Sequence, residues 1–422
     1  MQSSLSLMSS SNILTTPNRK RPLESAAEDS VFDYTSRPQA PFASRPSLPS
    51  TVSTSSRSST RSGRSSPTKK ERRLRETTDH PISRILLSSP GTTAEDLPAS
   101  IVQLIIELRD IGQGERGIIP DIFYDQMHRD GGALNPPRSR WFIPTTAHGE
   151  GEARYLDRRL RKVWRASNRC TVTSEHEPGW NDTVHGPLLD EAFDDEAPIY
   201  RRNITTTSTS PPYIDPDPSL ASTKLDYALL LRHQPGSRLE VLDTSLPADR
   251  RPPMLHIDLS DCPRTPLIAA IETKSASSGK AGEAGTQLAN FGRGWGRFLG
   301  VVADEEVMAG DEEVAVGRLS LADETRLPPH AAFGAGGKGK REGQTELPVL
   351  PLISVIGSQW SVSFAQRKGG LTLVWQDVKM GDTNTLQGCY FVLHCLRRIG
   401  EWADAEIRGW WERVLEEKAM GV

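Results

Sequence analysis

The sequence predicts an α/β domain in which one mixed β-sheet is flanked by α-helices, preceded by a long N-terminal arm. Two observations favour this fold class. Apolar residues recur at helical spacing in some segments, whereas in others they form short continuous runs that are typical of buried strands. Along the chain these segments follow the order helices, strands, helix, strands, helix, which indicates one sheet with helices on its faces.

The arm covers residues 1–95 and is rich in Ser, Pro and Arg, so we predict that it is disordered. Such a composition has too few large apolar side chains to offset the conformational entropy lost on folding. Residues 1–76 contain 13 basic and 6 acidic residues, which leaves 38 basic and 48 acidic residues in the rest of the chain. The folded part is therefore acidic, which argues against tight, sequence-independent binding of nucleic acid by that part.

Two basic clusters lie in the predicted arm, NRKRP at residues 18–22 and KKERRLR at residues 69–75. Clusters of this kind serve as nuclear import signals or contact nucleic acid, and the alternative interpretation is a solvated basic linker. The four cysteines form no CxxC pair, which fits a reducing compartment. No apolar run reaches the roughly 18 residues of a membrane span. We therefore expect an intracellular protein without membrane contact, and a nuclear one if the clusters act in import.

Three helices are predicted at the start of the domain, which we place at residues 96–420. The first has apolar residues at helical spacing, namely Ile101, Leu104, Ile105 and Leu108. The second is GEARYLDRRLRKVWRAS and the third is PGWNDTVHGPLLDEAF. Because Pro187 falls inside the third helix, we expect it to kink or end that helix. His185 in the same segment is interpreted as a hydrogen-bonded packing residue.

Strands are predicted next, at KLDYALLLR and PLIAAIETK, with LHIDLS as a weaker candidate between them. PLIAAIETK is apolar at almost every position, which is typical of a strand buried on both faces. GEAGTQLANFGRGWGRFLG predicts a helix, and residues 302–345, acidic and then glycine-rich, predict a flexible insertion. Two strands around a GSQ turn, the strand LTLVWQDV and a long amphipathic helix complete the chain.

Two acidic residues and a lysine stand at the ends of the two buried strands. Glu272 and Lys274 point to one face because side chains two residues apart on a strand do so, and Asp226 joins them if the strands pair. Carboxylate oxygens are ligands of Mg²⁺ and Mn²⁺. Such a metal lowers the pKa of a bound water and offsets charge in phosphoryl transfer, and a lysine positions that water. The pattern therefore indicates metal-dependent phosphodiester hydrolysis, with a structural ion pair as the alternative.

The blocks EPGWNDTVHGPLL, KLDYALLL, PLIAAIETK, GTQLANFGRGW and GSQWSVSFA, followed by a RRIGEWAD helix, resemble the PD-(D/E)XK nuclease-like proteins of filamentous fungi. The resemblance implies a restriction-endonuclease-like core. It also implies that Asp226 and Glu272 are metal ligands and that Lys274 is the catalytic lysine. Glu177 on the preceding helix and Gln287 on the following helix match further polar residues that face the active centre in this superfamily.

The function that the resemblance implies is a metal-dependent nuclease that uses Mg²⁺ or Mn²⁺ and acts on nucleic acid, with DNA as the expected substrate. The alternative is a catalytically inactive protein of the nuclease fold that binds nucleic acid or protein. The retained set of Asp226, Glu272 and Lys274 favours the enzyme, whereas the acidic charge of the folded part favours the alternative. The enzyme requires the two carboxylates to converge on one cation.

Overall fold

The structure is a computed structural model. It describes residues 67–77, 80–89, 92–131, 136–146, 149–193, 197–221, 224–303 and 346–420. The disorder predicted for residues 1–66 lies outside the described residues, and so does nearly all of the predicted insertion at residues 302–345. Within the described ranges, no helix has the length and the apolar character that crossing a membrane requires.

The helices of the described ranges are α1 (Pro67–Glu76), α2 (Ala99–Gly112), α3 (Tyr124–Gly131), α4 (Glu150–Val172), α5 (Glu177–Trp180), α6 (Gly186–Ala192), α7 (Arg238–Ser245), α8 (Ala281–Val302) and α9 (Leu386–Met420). A π-helical turn, Asn181–His185, joins α5 to α6. The strands are β1 (Ile82–Leu86), β2 (Ile119–Pro120), β3 (Phe142–Ile143), β4 (Ile199–Asn203), β5 (Tyr227–Leu231), β6 (Leu267–Lys274), β7 (Leu350–Ile356), β8 (Gln359–Lys368) and β9 (Leu371–Asp382).

A mixed central sheet organises the part of the chain that the structure describes, and its strand order is β1-β9-β8-β7-β6-β5-β4. β6 and β7 are parallel, and so are β1 and β9, whereas the other neighbours are antiparallel. The predicted fold class, a mixed sheet flanked by helices, is confirmed. β6 lies in the interior of the sheet, which explains its continuous apolar run, because both of its faces are covered.

The two faces of β6 are covered by different elements. α8 packs on one face so closely that a Cβ added at Gly292 would lie 2.9 Å from the Cβ of Ala365 and 3.5 Å from Leu352. The register pairs Leu352 with Ala270 and therefore places Glu272 and Lys274 on this same face. Thr273 points to the opposite face, which the π-helical turn and α9 cover.

The ordered part of the chain begins earlier than predicted. β1 pairs in parallel with β9 from Ile82 opposite Thr372 to Leu86 opposite Gln376, and Leu74 of α1 is fully buried. The prediction of a disordered arm as far as residue 95 is therefore wrong for the described residues of this region. The error has a physical cause, since a short edge strand is stabilised by its partner strand and not by its own composition.

The basic cluster KKERRLR lies on α1 and makes contacts within the folded domain. Glu71, at its centre, accepts two hydrogen bonds from Arg84 of β1, at 2.6 and 2.7 Å. Arg73 lies 3.4 Å from the carboxylate of Asp217. This cluster is thus part of a helix that packs on the domain. Its interpretation as a nuclear import signal or nucleic-acid contact assumed an extended segment of a disordered arm.

The third predicted helix continues through Pro187. The π-helical turn accommodates the proline, because the N–H of Gly186 donates to the carbonyl of Asn181 five residues earlier and Pro187 then occupies the first turn of α6. The weaker strand candidate LHIDLS forms only an isolated bridge between Ile257 and Thr209. The other predicted strands and helices are present with shifts of a few residues at their ends.

Candidate active site

The paired strands β5 and β6 bring the predicted acidic residues to one place. Tyr227 pairs with Ile271, and the N–H of Asp226 donates to the carbonyl of Ile271 at 3.1 Å. The start of β5 therefore lies beside the end of β6, where Glu272 and Lys274 stand. All three charged side chains are buried, which is rare for ionisable groups unless they are paired or functional.

Lys274 is the hub of this cluster. Its Nζ contacts the carboxylate of Glu272 directly and donates to the carbonyl of Thr273 at 2.8 Å. It also lies 3.5 Å from Oε2 of Glu177, the first residue of α5. The structure thus places Glu177 in the cluster, as the sequence suggested. Three carboxylates, those of Asp226, Glu272 and Glu177, interact electrostatically with this one lysine.

The carboxylate of Glu272 is the least satisfied group in the cluster. Its Oε1 faces Lys274, but its Oε2 is buried and has no hydrogen-bond partner among the described residues. Burial, and then the negative charge of Asp226, raise the pKa of Glu272 to about 8, although Lys274 opposes the shift. Burial and the charge of Asp226 likewise raise the pKa of Glu177. Burial lowers the pKa of Lys274, but the surrounding carboxylates outweigh burial and raise it.

The donor set of the cluster fits a divalent metal with few protein ligands. The described residues contain no group of three or more His, Cys, Asp and Glu side chains arranged around one point. Mg²⁺ is commonly held by only one or two carboxylates, with waters and substrate phosphates completing its shell. The unpartnered Oε2 of Glu272, next to Asp226, is an oxygen donor of the type that such an ion prefers.

The position of Asp226 is fixed by hydrogen bonds from the other face of β6. Its Oδ2 accepts from the backbone N–H of Thr273 at 2.8 Å and from the Thr273 hydroxyl at 2.7 Å. The Thr273 hydroxyl also lies 2.9 Å from the side-chain amide of Asn181. That amide lies 2.9 Å from Nδ1 of His185, whose Nε2 lies 2.9 Å from the carbonyl of Gly357. We call these five residues the Asp226 network.

The direction of each hydrogen bond in the Asp226 network follows from His185. Burial lowers the pKa of His185 to about 4, so its ring is neutral at neutral pH. Nε2 must carry the proton, because it faces the Gly357 carbonyl, and Nδ1 is therefore an acceptor. Nδ1 and the Thr273 hydroxyl both lie 2.9 Å from the atom placed as Oδ1 of Asn181. Because an acceptor Nδ1 cannot bond an acceptor oxygen, we infer that the amide is turned so that its NH₂ group stands at this position. The Thr273 hydroxyl then accepts from Asn181 and donates its own hydrogen bond to Asp226.

The network also reaches the backbone of the lysine. Gly357 has a φ of +57°, a conformation that favours glycine, in the turn between β7 and β8. Its N–H donates to the carbonyl of Lys274 at 2.7 Å, while its carbonyl accepts a hydrogen bond from Nε2 of His185. One turn therefore ties the Lys274 backbone to the ring that orients Asn181. The sequence offered one signal for this arrangement, the spacing of four between Asn181 and His185, which places them on one helix face.

Gln287 lies beside the cluster rather than on it. Its amide nitrogen lies 3.4 Å from the carbonyl of Lys224, two residues before Asp226, and its Oε1 is buried without a hydrogen-bond partner among the described residues. Among the described residues, Gln287 forms no hydrogen bond to Asp226, Glu272 or Lys274. Of the five predicted site residues, Asp226, Glu272, Lys274 and Glu177 therefore interact with one another. Gln287 instead borders the segment that leads into Asp226.

The cluster opens to solvent on one side and borders a second cleft on the other. A cavity of about 640 Å³ is lined by Glu177, Asn181 and Asp226. On the α8 face, Glu272 stands in the same row of the sheet as Ser354 of β7 and Ser361 of β8. Those two serines form part of the floor of a second cavity, of about 490 Å³. Glu177 and Asp226 thus line the first cavity, and Glu272 is a neighbour of the second cavity along its row of the sheet.

Comparison with known proteins identifies the family. A family model described as the PD-(D/E)XK nuclease superfamily matches residues 126–408, a segment that contains every residue of the cluster and of the Asp226 network. No curated protein and no solved structure matches the chain. The family match covers well over half of the 422 residues, and the sheet with its acidic strand ends agrees with it. The protein therefore belongs to the PD-(D/E)XK nuclease superfamily.

Proposed function

We propose that this protein is a metal-dependent nuclease that hydrolyses phosphodiester bonds in nucleic acid, with DNA as the substrate. The observation that carries the proposal is the buried pair of Glu272 and Lys274, in which one carboxylate oxygen of Glu272 remains without a hydrogen bond next to Asp226. A purely structural ion pair gains from satisfying both oxygens, because an unpaired buried charge is costly. Membership of a nuclease superfamily supports the reaction class.

Asp226 and Glu272 are the residues that would hold Mg²⁺ or Mn²⁺. A bound metal of this type supplies a water of lowered pKa and offsets negative charge on the phosphoryl group. The Asp226 network fixes one oxygen of Asp226 through Thr273. Asp226 directly precedes Tyr227, whose partner Ile271 directly precedes Glu272, so the two acidic residues stand opposite one another across the strand pair. A ligand held in this way loses little conformational entropy when the metal binds.

Lys274 acts as a cation and hydrogen-bond donor in this proposal. The surrounding carboxylates raise its pKa, so the ammonium group keeps its proton at neutral pH and orients the attacking water or stabilises the phosphoryl oxygens. Glu177, 3.5 Å from Nζ, holds the ammonium group on the cleft side. Gln287 has the supporting role that the resemblance implies, and its unpartnered Oε1 is the atom that would serve it.

The second candidate function is a nucleic-acid- or protein-binding module that keeps the fold without catalysis. The direct contact between Lys274 and Glu272 favours it, because the two groups already serve as partners for one another. A nuclear location belongs to the proposal as well, and it rests on the cluster NRKRP at residues 18–22. The two functions differ in one property, since only the nuclease requires a metal to cut.

The test is cleavage of labelled single- and double-stranded DNA and RNA by the full-length protein with Mg²⁺, Mn²⁺ or a chelator. Glu272→Gln and Lys274→Ala are compared with matched controls at exposed positions, Glu152→Gln and Lys368→Ala. The proposal expects cutting that needs the metal, survives in both controls and is lost in both site variants. A wild-type protein that is folded and binds nucleic acid but cuts none of these substrates supports the binding module instead.

A further inference from the structure

The outer face of α4 carries a row of basic side chains. Arg158, Lys162, Arg165 and Arg169 are exposed and follow one another at spacings of four, three and four residues, so they lie on one face of the helix. We call these four residues the basic stripe. With a rise of about 1.5 Å per residue, the stripe is about 16 Å long. From Tyr155 to the end of α4, every exposed charged side chain of the helix is basic.

Within the described ranges, the stripe is not compensated by acidic neighbours. No ion pair or side-chain hydrogen bond joins any of its four members to another described residue, although other arginines of α4 do have such partners. Arg154 bonds Glu150 at 2.8 Å, and Arg161 bonds Asp157 at 2.6 Å. Like charges three or four residues apart each destabilise a helix by about 0.2–0.5 kcal/mol. The free protein thus carries an unfavourable arrangement that an anionic partner would relieve.

The opposite face of α4 packs on the segment that carries the site. Ser167 and Cys170 are buried on that face, and Sγ of Cys170 lies 3.5 Å from the hydroxyl of Thr183 in the π-helical turn. Glu175, just after α4, donates its N–H to the carbonyl of Cys170 at 2.9 Å, two residues before Glu177 begins α5. The C-terminal end of the stripe, Arg169, therefore stands near the chain segment that leads into the catalytic cluster.

We propose that the basic stripe binds the sugar-phosphate backbone of a nucleic acid along the outer face of α4. The inference rests on the proposed function for the identity of the partner. Charge complementarity carries it, because the folded part of the chain is acidic overall while this face is purely basic. It also answers how an acidic domain attracts a polyanion, since binding needs only a local row of cations spaced to meet phosphates.

The salt dependence of binding gives the expected size of the effect. Each phosphate neutralised on duplex DNA contributes a slope of about −0.9 to log K against log salt concentration, or about −0.7 on a single strand. Four contacts therefore contribute a slope of about −3.6 or −2.8. At 0.15 M salt, removal of the stripe is expected to weaken binding by about 10²–10³-fold if all four cations contact phosphates.

The experiment measures the binding of fluorescent 30-mers of duplex and single-stranded DNA to the full-length protein in EDTA, from 50 to 300 mM salt. The test variant replaces all four stripe residues with alanine, which is a good helix former, so α4 should remain folded. The control replaces four exposed cations elsewhere with alanine, Arg116, Arg250, Lys368 and Arg413, and so removes the same charge. Circular dichroism and thermal melting check that both variants are folded.

The proposal expects the stripe variant to bind much more weakly and with a flatter salt slope, to a similar degree on unrelated sequences, while the control stays within about threefold of wild type. Equal losses in the two variants, or less than a twofold loss in the stripe variant, would overturn it. Loss of binding to anionic phospholipid vesicles with unchanged DNA binding would assign the stripe to a membrane surface and also overturn it. Cleavage is scored separately, so a protein that binds through the stripe without cutting contradicts only the nuclease function.

Discussion

Replacing Thr273 with valine tests whether the Asp226 network fixes the carboxylate of Asp226, which we propose as a metal ligand. The substitution keeps the shape of the side chain and replaces the hydroxyl with a methyl group. The hydroxyl lies 2.7 Å from Oδ2 of Asp226 and 2.9 Å from the amide of Asn181. Thr273→Ser is the matched control, because serine keeps the hydroxyl and loses a methyl group. Thr273 is fully buried, so water does not readily replace the missing group.

The magnitude follows from the bonds that are lost and kept. Asp226 loses a hydrogen bond to a charged acceptor, worth about 1.5–3 kcal/mol, but keeps the one from the backbone N–H of Thr273 at 2.8 Å. Asn181 loses an acceptor for one amide proton, and its position at the cleft allows solvent to accept that proton. We therefore expect the free energy of unfolding to fall by about 2 kcal/mol, which lowers the melting temperature by about 3–6 °C in a domain of this size.

The assay is thermal melting of wild type, Thr273→Val and Thr273→Ser in EDTA, so that the result does not depend on catalysis. Metal-dependent cleavage, measured in parallel, should fall about tenfold or more in Thr273→Val, because about 1.4 kcal/mol of lost positioning corresponds to a factor of ten. Thr273→Ser should stay close to wild type in both measurements. If valine is as stable and active as wild type, or serine is as harmful as valine, the hydroxyl does not hold Asp226 and the argument fails.

Three further predictions concern other parts of the molecule. Burial lowers the pKa of His256 to about 3, below its unfolded value near 6.5, so this residue contributes stability above pH 6.5 that is lost as the pH falls. His256→Phe should therefore reduce the loss of unfolding free energy between pH 6.5 and 4.5 by about 2–3 kcal/mol, measured by chemical denaturation at each pH. Glu272 has a folded pKa raised to about 8 from 4.5, so metal-free protein should lose stability as the pH rises from 4.5 through 8, and Glu272→Gln should remove that dependence. Leu74→Ala should cost about 2–5 kcal/mol in chemical denaturation because Leu74 is fully buried, whereas Arg72→Ala on the exposed face of α1 should change stability by less than about 0.5 kcal/mol.

The sequence was most informative where the local pattern and the tertiary environment agree. The run ending in Glu272 and Lys274 is apolar because β6 is covered on both faces, and a charged end to such a run is chemically conspicuous. Asp226 was added on the condition that the two runs pair as neighbouring strands, and β5 and β6 do pair. Alternation along the strand correctly placed Glu272 and Lys274 on one face.

The sequence was least informative where a residue depends on a distant partner. Thr273 and Asn181 are ordinary polar residues in the sequence, and only the packing of the π-helical turn against β6 joins them, 92 positions apart. His185, interpreted as a hydrogen-bonded packing residue, is one, but its partners include Gly357, 172 positions away. β1 was missed for the same reason, because its partner β9 lies almost three hundred residues later in the chain.

Neighbouring residues of β6 point to opposite faces of the sheet and have different partners in the site. Glu272 and Lys274 stand on the α8 face and supply the oxygen donor and the cation, while Thr273 between them reaches through the other face to hold Asp226. In the nuclease that we propose, a substitution on the α8 face would therefore act on the binding of metal or phosphate, and a substitution on the other face would act on the position of Asp226. β6 is central and pairs with a strand on each edge. A register shift of one residue would turn Glu272 and Lys274 to the face of the π-helical turn and Thr273 to the α8 face, and the cluster and the network would both be lost. The alternation of the strand thus ties the chemistry of the site to the register of the whole sheet.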